Sequence, residues 1–151
     1  MFQRRLVALA SALLILLASL GPAQAQGSQG SQGSQGSGAS PYLFELLAKP
    51  AFRRSFEAML GHEKNVDGWL ARYSIDRNGP AAPSQIYQTD GKPEIGGWVC
   101  ETHNCGPNRF FYLFSQDGSR VVGLQIKDNA RRWFGNPGPA ERNTLLQVVD
   151  G

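Results

Sequence analysis

The spacing of apolar side chains changes several times along this chain. Leu6 to Leu20 is an almost unbroken apolar run, with neither the period of an amphipathic helix nor the alternation of a strand. Between 26 and 40 apolar side chains all but vanish, and Gly-Ser-Gln repeats from Gly27 to Gln35 before trailing into Gly36-Ser37-Gly38. Phe52, Phe56, Met59 and Leu60 then recur at i, i+4, i+7 and i+8, which is one face of a helix. Arg53 and Glu57 fall on the other face, and Gly61 is placed to end it. From residue 69 the period shortens, and 69–75, 85–89, 94–99, 109–115 and 120–127 are β-prone runs separated by turn residues.

These runs predict an α+β fold: a five-stranded antiparallel sheet with helices packed on one face. Ser40-Pro41 reads as the N-cap and first position of a short helix, which Pro50 must end or replace with another. Asp90-Gly91 and Asp117-Gly118 are hairpin signals. In 109–115, Phe110, Tyr112 and Phe114 alternate with Phe111, Leu113 and Ser115, so both faces are largely apolar. That strand is either covered on both sides, or covered on one and apposed to a partner on the other. Pro139 opens a final helix with Leu145, Leu146 and Val149 facing the core, while 76–84, with Asn78-Gly79-Pro80 and Pro83, reads only as an irregular loop.

The N-terminal run has the anatomy of a secretory signal peptide over 1–25. Arg4 and Arg5 form the basic region, Leu6 to Leu20 the apolar one, and Ala23-Gln24-Ala25 the cleavage site. The run is short for a membrane span and no second one follows, so a soluble periplasmic or extracellular protein is expected. Residues 26–40 form a flexible linker, and 41–151 form one folded domain. Cleavage removes Arg4 and Arg5 and no acid, leaving thirteen basic against twelve acidic residues. Arg53-Arg54 and Arg131-Arg132 read as solvated surface, so no nucleic acid and no membrane is expected as partner.

Candidate chemistry concentrates in Cys100-Glu101-Thr102-His103-Asn104-Cys105, which holds both cysteines and one of the two histidines. In an oxidising compartment an even number of cysteines is expected to pair. Closing so short a loop limits the unfolded chain by only ~2 kcal/mol, so the ring is a poor fold staple. It is a good way to hold a side chain outward, with little entropy left to lose on binding. It sits between 94–99 and 109–115 as a hairpin tip, with Gly106-Pro107-Asn108 turning the chain back. A thiol nucleophile with His103 as base has little room for a pocket and disappears on oxidation. A metal set of Cys100, Cys105, His103 and His62 fits no usual zinc spacing, and His62 reads instead as closing the helix before it. The chain is thus read as not an enzyme, with no cofactor and no metal.

Leu47-Ala48-Lys49, Phe56, Gly61-His62, Trp69 and above all Cys100, His103, Cys105 and Gly106 resemble the bacterial inhibitor of vertebrate lysozyme (Ivy) family, over about residues 43 to 149. The resemblance implies a periplasmic antiparallel sheet, often a homodimer, whose disulfide-closed loop plugs the active-site cleft of c-type lysozymes. His103 would then be the plug, Cys100 and Cys105 would set its position, and Thr102 and Asn104 would add hydrogen bonds to the cleft rim. The family loop reads Cys-Lys-Pro-His-Asp-Cys, so Glu101, Thr102 and Asn104 depart from it. Glu101 is expected to bring a negative charge towards a cleft that holds carboxylates. Asn104 removes a charge that would orient His103. The alternative is a protein of the same fold with a partner that Glu101 disturbs less, such as a lytic transglycosylase with a single catalytic carboxylate or another cell-wall component.

Overall fold

In the computed structural model, which describes residues 40–151, ten elements follow one another. Helices α1 (Leu43–Leu46), α2 (Pro50–Gly61), α3 (Gly68–Ala71) and α4 (Tyr73–Asp76) come first. Strands β1 (Gln85–Thr89), β2 (Lys92–Cys100), β3 (Asn108–Ser115), β4 (Val121–Lys127) and β5 (Ala130–Phe134) follow, and α5 (Pro139–Asp150) ends the chain. The expected signal peptide, and the linker up to residue 39, lie outside the described residues. Among the described residues, no helix is long and apolar enough to cross a membrane.

The strands form one antiparallel sheet in chain order, β1-β2-β3-β4-β5. The α+β class and five-stranded sheet are as expected, but the strand membership differs in two places. Residues 69–75 are not a strand. Their buried positions are Leu70, Tyr73 and Ser74 while Ile75 is 77% exposed, a spacing of three that suits the helical turns α3 and α4 better than alternation. The β-favouring side chains of Trp69, Tyr73 and Ile75 are overridden by which face must be covered. The strand missed in the sequence is β5. Its Arg131 and Arg132 hide the signal, since they lie on a sheet edge where charge is tolerated. Asp128 and Asn129, with φ of 49° and 66°, make the tight turn that places Ala130 opposite Lys127.

The two-faced pattern of β3 organises the layers. Phe110, Tyr112 and Phe114 face α1 and α2 and join Phe52, Phe56, Val99 and Phe134 in one cluster. Phe56 meets the Phe110 ring edge-on at 6.1 Å, and Phe52 meets Phe114 at 5.1 Å. Phe111 and Leu113 point the other way, to Val122, Leu124 and the α5 residues Leu145 and Val148. Helices therefore cover both faces, not one. Leu145 and Val148 take the fully buried positions of α5, while Leu146 and Val149 pack at its margin. Of the two readings of β3, cover on both sides is the one realised.

Segment 76–84, unplaced from sequence, prolongs the β1 edge along β2. The Ala82 N–H donates to the Trp98 carbonyl at 3.2 Å and the Cys100 N–H to the Pro80 carbonyl at 3.0 Å. The last turn of β2 is thus paired on both sides where it enters the loop.

Phe56 has no solvent exposure and stacks among β3 aromatics, so Phe56→Ala is expected to cost about 3–5 kcal/mol in a urea titration. Ile75→Ser, at an exposed position, should stay within about 0.5 kcal/mol of the parent.

Candidate functional site: a disulfide-closed loop on a polar base

β2 delivers Cys100, which pairs with Arg109 at the loop end of the β2–β3 hairpin, and β3 begins one residue earlier at Asn108. Cys100 and Cys105 are joined, with Cα atoms 4.9 Å apart. Inside the ring the Asn104 N–H donates to the Glu101 carbonyl at 2.9 Å, and the Asn108 N–H donates to the Asn104 carbonyl at 3.0 Å. The loop is therefore a closed turn in its backbone as well as through sulfur. His103 has φ of 63°, the left-handed region that histidine enters more readily than most residues. Thr102 and His103 are the exposed residues of the ring, while Cys100 is buried.

A network of polar side chains lies beneath the ring. Asp67, just ahead of α3, accepts at Oδ2 from Asn108 Nδ2 (2.9 Å), Gln125 Nε2 (3.0 Å) and Lys127 Nζ (3.0 Å). Gln125 Nε2 also donates to Asn108 Oδ1 at 2.9 Å. Asn108 Nδ2 donates in addition to Glu101 Oε2 at 3.0 Å, and Asn104 Nδ2 donates to the same oxygen at 2.7 Å. Asn108 and Gln125 are buried, where an amide left unpaired costs about 1–3 kcal/mol. Burial opposes ionisation of Asp67, but hydrogen bonds from Asn108, Lys127 and Gln125, with the Lys127 charge, outweigh it and hold its carboxyl below the usual value. The Lys127 ammonium is correspondingly pushed up, first by its hydrogen bond to Asp67.

The ring is also buttressed from the side. Thr102 Oγ1 donates to Asn78 Oδ1 at 3.3 Å. Gly79, with φ of 139°, lies so close to the Cys100 carbonyl that a side chain there would collide with it.

All six residues singled out in the sequence thus occupy one loop, but they do not all face outward. Glu101 and Asn104 are half-buried and bonded to each other. His62 sits at the C-terminus of α2, its backbone N–H donating to the Ala58 carbonyl, and takes no part in the network. Asp67, Gln125 and Lys127 escaped the sequence reading, which took Asn78 and Asn108 only as loop and turn residues although Asn108 begins β3. A signal was present: Asn108 and Gln125 stand on the core-facing parity of their strands, the same parity as Phe110 in β3 and Val121 in β4, where an apolar residue is the norm.

At the other end of the sheet a cleft of about 470 Å³ lies between the β1–β2 turn, the β3–β4 turn and the start of α5. Its Arg120 forks onto Glu141 at 2.8 and 3.0 Å, and Glu141 also accepts from the Gly138 N–H at 2.7 Å. This is a joint that fixes α5 to the sheet. Burial, with the nearby Glu141 charge, raises the Glu94 carboxyl beside it, although Thr89, Arg120 and Lys92 act against the shift.

With both thiols joined and one imidazole held outward, the loop has the anatomy of a recognition element, and the fold is that of a scaffold presenting it to a protein partner. The family described as Inhibitor of vertebrate lysozyme (Ivy) matches residues 51–147, from α2 through the ring into α5. A Pseudomonas aeruginosa protein named Inhibitor of vertebrate lysozyme is 31% identical over 124 residues, covering 73% of this chain and 78% of its own. An uncharacterized Yersinia pestis protein is 25% identical over 105 residues, covering 70% of this chain and 66% of its own. The chain belongs to the Ivy family, a family of inhibitors and not of enzymes.

Because folding lowers the Asp67 pKa, the network contributes stability in full above the ordinary carboxylate value of 3.8 and loses it as pH falls below that value. Thermal melting should therefore drop as pH falls below about 4, and Asp67→Asn should make that drop shallower while lowering the neutral-pH melting temperature. Equal acid slopes in the two proteins would show that the network does not contribute.

Proposed function

We propose that this protein is exported to the periplasm through residues 1–25 and there inhibits a c-type lysozyme, by inserting the 100–105 ring into the enzyme's cleft with His103 foremost. The observation that carries this reading is His103 itself, exposed and held in the left-handed region on a disulfide-closed turn. Membership of the Ivy family, and the name of the Pseudomonas aeruginosa relative, support the same target.

The target's chemistry accounts for the choice of side chain. Such enzymes place one protonated and one ionised carboxyl group across the scissile glycosidic bond. A neutral imidazole offers one N–H and one acceptor nitrogen to that pair; a protonated one offers two donors and makes charge-assisted hydrogen bonds. A ring already closed before binding loses little conformational entropy in the cleft. Inhibition then needs no covalent step: the sugar is excluded by occupancy. The alternative of a lytic transglycosylase rested on Glu101 confronting the carboxylates of a lysozyme. That motive weakens when the Glu101 carboxylate is bonded to Asn104 and Asn108 behind the exposed ring residues.

The test is lysis of peptidoglycan by a c-type lysozyme, titrated with the oxidised protein. His103→Ala should weaken inhibition by about 30-fold or more, the behaviour of a central hot-spot residue. The Cys100→Ser, Cys105→Ser double variant should lose about 2 kcal/mol of stability or less, remain folded, and inhibit poorly. His103→Ala inhibiting as well as the parent would remove the plug mechanism, and parental inhibition of a lytic transglycosylase alone would move the target to that class.

A further inference from the structure

The residue standing where the family loop has lysine carries the opposite charge, and the structure gives that charge a destination inside the protein. We infer that Asn108, oriented from beneath by Asp67 and Gln125, is a positioning residue that draws the Glu101 carboxylate into the base of the ring, so that the face offered to an acidic cleft is His103 and not a second anion. This rests on the inhibitor reading above and adds to it the reason a Glu-bearing ring is compatible with such a target.

The geometry leaves Asn108 little freedom. Its amide oxygen is occupied by the Gln125 Nε2 donor at 2.9 Å, and its two amide hydrogens are shared between Asp67 at 2.9 Å and Glu101 at 3.0 Å. Turning the amide over would set its oxygen against two carboxylates and its NH2 group against another NH2 group, losing every one of these bonds. Asp67 therefore fixes the polarity of Asn108, and Asn108 in turn aims a donor at Glu101. Burial makes the arrangement stiff, since Asn108 is 1% exposed. Asn104, where the family has aspartate, supplies a second donor to the same Glu101 oxygen at 2.7 Å; an aspartate there would meet Glu101 as a like charge. The Lys127 ammonium bonds Asp67 and feels the Glu101 charge as well, which offsets the repulsion between the two carboxylates. Glu101 and Asn104 thus form a matched pair, and the base beneath them is built to accept it.

Restoring the family's lysine at 101 is therefore expected to harm this protein. The experiment measures inhibition of a c-type lysozyme and melting temperature for the oxidised protein, Glu101→Gln, Glu101→Lys, Asn108→Ala, and Asn108→Ala combined with Glu101→Gln. Glu101→Gln keeps an acceptor and should stay within about 3-fold of the parent, whereas Glu101→Lys, lacking it and facing Lys127, should inhibit about 10-fold more weakly or worse. Asn108→Ala frees the charge of Glu101 and should weaken inhibition about 10-fold in the parent, but much less when residue 101 is Gln, while its loss of melting temperature is similar in both. Glu101→Lys inhibiting as well as or better than the parent, or Asn108→Ala costing the same affinity in both backgrounds, would overturn the inference. A target-independent arm follows the Asn108 side-chain NH2 protons by NMR. Slow solvent exchange that becomes fast in Glu101→Lys supports the inward carboxylate, and fast exchange in the parent overturns it. A parent that shows slow exchange yet inhibits no c-type lysozyme would sink the functional reading and leave the placement of Glu101 standing.

Discussion

A strand with apolar side chains on both faces cannot be left half covered, and β3 is such a strand. Phe110, Tyr112 and Phe114 on one side and Phe111 and Leu113 on the other are all buried, so two layers of helix are required to exclude water from it. α1 and α2 supply one layer and α5 the other. β2 and β4 flank β3 through ladders along its length. The consequence for function is mechanical: the loop grows from the end of a hairpin that includes this buried strand, and its roots at Cys100 and Asn108 are both buried.

Two devices then share the task of presenting the ring. The disulfide joins residues whose backbones are close and restricts how far the loop can open, a local effect worth about 2 kcal/mol in chain entropy. It does not by itself decide which ring side chains face the scaffold. That is decided by the hydrogen-bonded base, where Asp67 comes from the segment before α3, Gln125 and Lys127 from β4, and Asn108 from β3. Such a network is specific because each member is satisfied only in one arrangement. Glu101 and Asn104 complete it from above, and Thr102 and His103 remain outside.

Much of the fold was legible because period and parity were clean. The α2 stripe of Phe52, Phe56, Met59 and Leu60 is buried as its spacing demands, and the alternation in 109–115 announced a strand with two largely apolar faces. Legibility failed where two signals compete in a short stretch. Residues 69–75 combine β-favouring side chains with helical spacing, and spacing won. β5 carries two arginines on an edge and lacks an apolar alternation to advertise it. At the site, the ring and its outward histidine were readable from two cysteines and the family resemblance. The inward turn of Glu101 was not, because it depends on Asp67 and Gln125, 34 and 24 residues away in the chain, the second brought in by the β3–β4 register and the first by the segment ahead of α3. The polar residues at core parity, Asn108 and Gln125, were the one local hint that something polar is buried there.

The most direct measurement is a crystal structure of the oxidised protein bound to a c-type lysozyme. The account predicts the 100–105 ring inside the cleft, the His103 imidazole within hydrogen-bonding distance of both catalytic carboxyl groups, and Glu101 still bonded to Asn108. A complex formed through another face of the sheet, or a ring in the cleft with Glu101 swung out onto the enzyme, would contradict it.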